Sequence, residues 1–174
     1  MKSVEPRRYG MDLHHWKRTW WIVAVAFDVL LLAWLAFHLA GIRLPVEISI
    51  AAAGVILGFA YFIQQQHLQN ARFFKELATE FNGRYDTQNG KLLRHIGADS
   101  GKPFTPEQTH DFIDYFNLCA EEWLFYKAGY IYDEVWQAWF NGMRQYGKDP
   151  RVARLWQQEQ QTESYYGLDF PIEP

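Results

Sequence analysis

Two long apolar runs, Trp20 to Ala40 and Pro45 to Ile63, stand near the start of the chain with only Gly41-Ile42-Arg43-Leu44 between them. Each is close to the length a helix needs to cross a bilayer core of ~30 Å at ~1.5 Å rise per residue. So short a link turns the second helix straight back along the first. The expectation is a transmembrane helical hairpin over residues 20–63. The first run differs from a secretory signal. It is longer than a typical h-region, carries Asp28, ends in a poor cleavage sequence (Ala36-Phe37-His38-Leu39-Ala40), and is followed at once by a second span. An uncleaved anchor is the reading.

Charge orients the anchor. Lys2, Arg7, Arg8, Lys17 and Arg18 make residues 1–19 basic, Arg43 stands alone in the turn, and Arg72 and Lys75 follow the second run. Lys and Arg concentrate on the cytoplasmic side of spans. Both termini are therefore expected in the cytoplasm, in a two-pass arrangement. His14-His15-Trp16 and Trp20-Trp21 fall where an interfacial aromatic belt belongs.

Two features of the spans go beyond what an inert anchor needs. Asp28 lies well inside the first. A central aspartate costs ~2.5–3.5 kcal/mol on insertion, which the surrounding Leu, Ile, Val and Phe residues offset at ~0.3–0.6 kcal/mol each. Such a carboxyl faces a helix–helix contact, a polar path, or a hydrogen-bond partner within a bundle. In the second span Ala51, Gly54 and Gly58 share a helical face, with G-x-x-x-G spacing between the glycines. The face can pack the second helix on the first or pack copies of the chain together as a homo-oligomer. Asp28, Ala51, Gly54 and Gly58 are the candidate membrane-assembly residues.

Beyond Ile63 no Gly or Pro interrupts the chain until Gly83. A helical stalk over 64–82 is expected, with Phe74, Leu77, Ala78 and Phe81 at helical spacing and Gly83 as its end. Residues 82–104 read as looser: Arg84-Tyr85-Asp86 and Lys91-Leu92-Leu93-Arg94-His95-Ile96 can form a short helix, and a loop runs from Gly97 to Pro103. Gly101-Lys102 lacks the glycine spacing and the Ser/Thr of a phosphate loop. Thr105, Pro106 and Gln108 signal the next helix by N-cap, first-turn proline and capping box. Its stripe is Phe112, Ile113, Phe116, Cys119, Ala120, Trp123 and Leu124, and Gly129 is its stop. Asp133 is positioned to cap a further helix that buries Val135, Trp136, Trp139, Phe140 and Met143 and ends at Gly147. Asp149-Pro150 opens the last, through about Glu163. The aromatic tail Ser164–Pro171 docks on the domain or on a partner. The fold class is all-α: a two-helix transmembrane hairpin, then a small cytoplasmic helical domain over 83–174.

The soluble part offers little chemistry. Residues 64–174 hold 11 Lys and Arg against 16 Asp and Glu, a balance that argues against broad nucleic-acid binding. Cys119 is the only cysteine, which rules out an intrachain disulfide and a cysteine metal cluster. In its apolar stripe it reads as a buried thiol. Asp111, Asp114 and Glu121 or Glu122 can approach one helix face, but a di-metal bundle needs a Glu-x-x-His partner on a second helix. They read as a solvated or partner-facing acidic edge. No nucleophile–base set and no dinucleotide fingerprint can be placed. No enzyme activity, metal or cofactor is expected. Aromatic residues make up 18% of the chain, more than a small core needs. Glu121, Glu122, Tyr126, Tyr130, Tyr132, Tyr165 and Tyr166 are the candidate partner-binding residues.

Phe81-Asn82-Gly83-Arg84-Tyr85-Asp86, and Asp114 to Glu122 followed by Tyr126-Lys127-Ala128-Gly129, Val135-Trp136 and Tyr165-Tyr166-Gly167-Leu168, resemble a bacterial family of uncharacterised helical domains. Its members often carry N-terminal transmembrane helices and can lie in mobile or phage-defence neighbourhoods. The resemblance covers residues ~70–170 and implies no catalytic residues. The two-span architecture also resembles the membrane effectors paired with retron reverse transcriptases in anti-phage systems. That likeness implies an inner-membrane effector or toxin, held inactive by a regulatory protein or ribonucleoprotein complex and acting on membrane lipid when released. The alternative is a membrane-anchored adaptor with a passive anchor.

Overall fold

A computed structural model describes residues 16–41, 45–97 and 101–172. Lys2, Arg7, Arg8, His14, His15 and Arg43, used above for orientation and the aromatic belt, lie outside the described residues. All regular structure among the described residues is helical: α1 (Trp16–Leu39), α2 (Val46–Gly97), α3 (Pro106–Lys127), α4 (Asp133–Gly147) and α5 (Pro150–Glu159), closed by a 3-10 turn at Gln160–Thr162. The all-α class holds. The chain divides into two units, residues 12–73 and the chain from residue 74 onward, with the boundary inside α2.

In the first unit, α1 and the start of α2 are almost wholly exposed. Phe27, Leu30, Leu31, Trp34 and Phe37 from α1 and Ile48, Ala52, Ala53 and Ile56 from α2 line an apolar groove of about 490 Å³. Among the described residues one helix, within Val46–Ile96, is long and apolar enough to cross a membrane. Its most apolar 18-residue window has mean hydropathy 2.0, and none of that window is buried. The apolar stretch of α1 among described residues, Ala24–Leu39, is shorter. Val55, Leu57 and Phe59 stand in the open. An exposed apolar surface of this extent marks a membrane or partner contact.

The second unit has an aromatic core. The expected stalk does not end at Gly83: α2 continues to Gly97, about 78 Å in all at ~1.5 Å per residue. A glycine inside a helix costs only ~0.5–1 kcal/mol relative to alanine, and tertiary burial of Leu77, Phe81 and Leu92 along this stretch overrides it. Residues 82–97 of the stretch read as loose are thus a wall of the domain; of the expected loop, 98–100 lie outside the described residues, and 101–105 are non-helical.

Helix α3 starts as its signals dictate. Thr105 Oγ1 accepts from the Gln108 N–H and Gln108 Oε1 accepts from the Thr105 N–H, with Pro106 in the first turn. It stops at Lys127, and Gly129 adopts φ +83 just beyond. Phe112, Phe116, Cys119 and Ala120 are buried, whereas Leu124 is exposed and Tyr115, Leu118 and Glu122 join the core. In α4 the cap is Tyr132 rather than Asp133, and it makes no side-chain cap hydrogen bond; Asp133 instead accepts from the Tyr126 hydroxyl at 3.1 Å. Trp136 and Met143 are buried, and Val135, Trp139 and Phe140 pack partly buried against the core. Asp149 caps α5 through the Arg151 N–H.

The tail docks on its own domain. Tyr165, Leu168 and Phe170 are buried, with Phe170 against Phe116 at 5.0 Å and Trp156 at 5.4 Å between ring centroids. Fully burying a large apolar side chain contributes ~1.5–3 kcal/mol, and edge-to-face ring pairs add ~0.5–1.5 kcal/mol. Pro171 then runs against the end of α4, so close that a Cβ on Gly147 would overlap its carbonyl oxygen.

Candidate functional site

The candidate assembly residues are displayed rather than packed. Asp28 is exposed on α1, and Ala51, Gly54 and Gly58 are exposed on α2. A Cβ added at Gly54 or Gly58 meets nothing within 4 Å. The groove shared with α1 uses Ile48, Ala52 and Ile56; Gly54 and Gly58 lie about 200° further round the helix than Ala52 and Ile56 respectively, at ~3.6 residues per turn. The small-residue face therefore points away from α1, and packing of the two helices within one chain does not use it.

The candidate partner-binding residues separate into three groups. Glu122 is 5% exposed and Tyr165 is buried, so neither is a surface residue as expected. The α3 pattern placed Glu122 beside Glu121 on an acidic edge, yet the helix turns ~100° between neighbours, which aims one outward and one inward. Burial, chiefly, pushes the Glu122 carboxyl up to about 8, with Arg84 opposing and Glu121 adding. Tyr165 donates to Glu159 Oε2 at 2.9 Å and packs on Trp156 at 5.0 Å. The second group is half-buried and engaged within the domain. Tyr126 stacks on Trp136 at 5.0 Å and 11°, Tyr130 packs on Phe125, and Tyr132 meets Phe74 edge-on at 4.7 Å.

Only Glu121 and Tyr166 meet at one open site. Arg84 on α2 donates twice to Glu121, once to Oε2 and once to Oε1 at 3.2 Å. That hydrogen bonding raises the guanidinium further above its ordinary range. With Gln88, Asp114, Asn117, Ala120, Ser164 and Tyr166 the pair lines a polar cleft of about 330 Å³. Sequence spacing linked Asp114 to Glu121; it tied neither Arg84 nor Gln88 to them, because the stalk was expected to end at Gly83, before both. The rest of the acidic edge disperses. Asp111 takes His95 Nε2 at 2.8 Å and Lys91 at 3.7 Å, which ties α3 to the end of α2.

A further ion pair, Arg151 with Asp149, was not legible in the sequence. Arg151, 5% exposed, donates to Asp149 Oδ2 at 2.6 Å and to the His95 carbonyl at 3.0 Å, and lies 4.5 Å above the Phe104 ring. Burial alone would raise the Asp149 carboxyl; the bonds from Arg151 outweigh it and hold it below the ordinary range. Cys119 is buried, and burial pushes its thiol well up, which suppresses the nucleophilic thiolate. Among the described residues no three His, Cys, Asp or Glu side chains are grouped to hold a metal ion.

No protein-family model, no curated protein and no solved structure matches the chain.

Proposed function

We propose that the chain is an inner-membrane effector: α1 and the start of α2 form a two-pass transmembrane hairpin with both termini cytoplasmic, and the helical domain is the control unit. A regulatory protein or ribonucleoprotein complex holds the domain, and on release the hairpin assembles through Gly54 and Gly58 and perturbs the membrane. The two-span architecture, which resembles that of retron-associated effectors, supports reading this action as anti-phage defence.

The observation that carries the reading is α2. One uninterrupted helix begins as an exposed apolar segment and ends as a wall of the domain core. A passive tether needs neither that continuity nor a small-residue face turned outward for close approach in lipid.

Induced expression of the full chain, without its partner and with a membrane-potential dye, tests it. Loss of potential is expected, and Gly54→Leu with Gly58→Leu should restore it. An intact potential under every triggering condition would leave the membrane-anchored adaptor. The polar cleft favours that second reading, since recognition by the domain needs only an anchor.

A further inference from the structure

The acidity of the soluble part conceals a division of charge. Residues 105–134 hold seven Asp and Glu against one Lys. Residues 135–158 hold four Lys and Arg against one acid, Asp149. Asp149 is turned inward onto Arg151, with the two side chains 9% and 3% exposed, so that pair presents no charge at the surface. The exposed charges of residues 135–158 are therefore all cations: Arg144, Lys148 and Arg154. Arg151 also donates to the His95 carbonyl at 3.0 Å, which brings the start of α5 against the last turns of α2. Those turns add the exposed Arg94.

Neutral neighbours hold these cations. Arg144 donates to Asn141 Oδ1 at 3.3 Å and lies 5.6 Å from the Phe140 ring centroid. Lys148 donates to Gln145 Oε1 at 3.2 Å. None of Arg94, Arg144, Lys148 and Arg154 pairs with a carboxylate among the described residues. At ~100° per residue, Asn141, Arg144, Gln145 and Lys148 share the side of α4 turned away from the buried Trp136 and Met143. On α5 the exposed Gln157 and Gln158 accompany Arg154.

We propose that this basic, amide-rich face of α4 and α5, with Arg94 at its edge, binds the sugar–phosphate backbone of a nucleic acid. A protein partner needs an apolar centre rich in aromatic side chains and poor in lysine. No large apolar side chain is exposed between Leu124 and Tyr166. Nucleic-acid interfaces are polar and positively charged, and most of their hydrogen bonds run to phosphate and sugar from side chains that include Arg, Lys, Asn and Gln. On such a backbone both the charges and the amides find acceptors, whereas an anionic lipid surface would use the charges alone. Four cations make the contact local and salt-sensitive, which agrees with a net acidic domain. In the complex proposed above, the nucleic acid is then a part that the domain grips. The inference stands on the domain alone, so its failure leaves the membrane reading to its own test with the dye.

The test is fluorescence anisotropy of the full chain in zwitterionic nanodiscs with a labelled oligouridine of about a dozen nucleotides. Saturable binding tighter than about 100 μM is expected at about 50 mM salt. The logarithm of the affinity should fall with the logarithm of salt at a slope of about −2 to −3, ~0.7 for each of three or four phosphates. Lys148→Glu should weaken binding about tenfold. Lys75→Glu makes the same charge change at an exposed position of α2 outside the face, and should leave binding within about twofold. Thermal melts control for folding, and Arg154→Gln replaces Lys148→Glu if that variant does not fold. Oligoglutamate and phosphatidylglycerol vesicles, added as competitors at equal charge, should displace the RNA poorly. The proposal is overturned if the RNA does not saturate, if Lys75→Glu weakens binding as much as Lys148→Glu, or if either competitor displaces the RNA as well as unlabelled RNA does.

Discussion

Glu122 is the residue at which stability should respond most to pH. Its carboxyl is raised from 4.5 to about 8, so the folded state holds the proton more tightly than the unfolded one. Its contribution is complete below about pH 4.5 and is lost as pH rises through about 8. Glu122→Gln keeps the shape without the charge. Denaturation of the full chain at pH 9 should find the variant more stable than wild type, by on the order of a few kcal/mol at ~1.4 kcal/mol per tenfold in protonation. At pH 4 the two should coincide. Equal stability at both pH values would mean that the carboxyl is not buried. Glu121, its neighbour in sequence, faces the cleft and is paired with Arg84, and nothing in the sequence distinguished the two. Helix rotation separates them, and the placement of α2 decides which one faces inward.

At the scale of elements, α2 corrects the expected stop at Gly83, and the tail takes one of its two expected docking places, its own domain. Gly83 is helical and exposed, with nothing within 4 Å of an added Cβ. Gly83→Ala should raise the melting temperature, by about 0.5–1 kcal/mol of stability; a fall would indicate that the helix bends there. Gly147 is the opposite case, because the Pro171 backbone occupies the space of its side chain. Gly147→Ala should cost about 1–3 kcal/mol, the usual toll of overpacking, and should release the tail to limited proteolysis around residues 164–172. A protease-resistant tail in a stable variant would show that the docking seen here is dispensable. The α3 boundaries were legible because capping box, first-turn proline and terminal glycine are local chemistry. The α2 boundary was not: a lone glycine reads as a stop unless neighbouring residues bury the helix that contains it.

At the scale of the whole chain, the effector reading requires that α2, one helix from Val46 to Gly97, couple the domain to the proposed spans. A Gly-Ser insertion after Gln65 breaks that continuity without touching either the core or the apolar residues. On the effector reading, membrane depolarisation should then no longer depend on partner binding, whereas pull-down of the partner should persist. Depolarisation still governed by the partner after insertion would argue that coupling runs by another route.

The apolar runs, the capped starts of α3 and α5 and the helical class were all determined by the sequence, because each depends on neighbours within a few residues. Only the tertiary structure decided which aromatic side chains were core and which surface, for an 18% aromatic content satisfies either. It also brought Arg84 and Gln88 across from α2 to Glu121 and Asp114, and it turned Gly54 and Gly58 away from α1. Those are relations between distant segments. They depend on which face each helix buries, and that is settled when side chains from separate elements compete for the same interior.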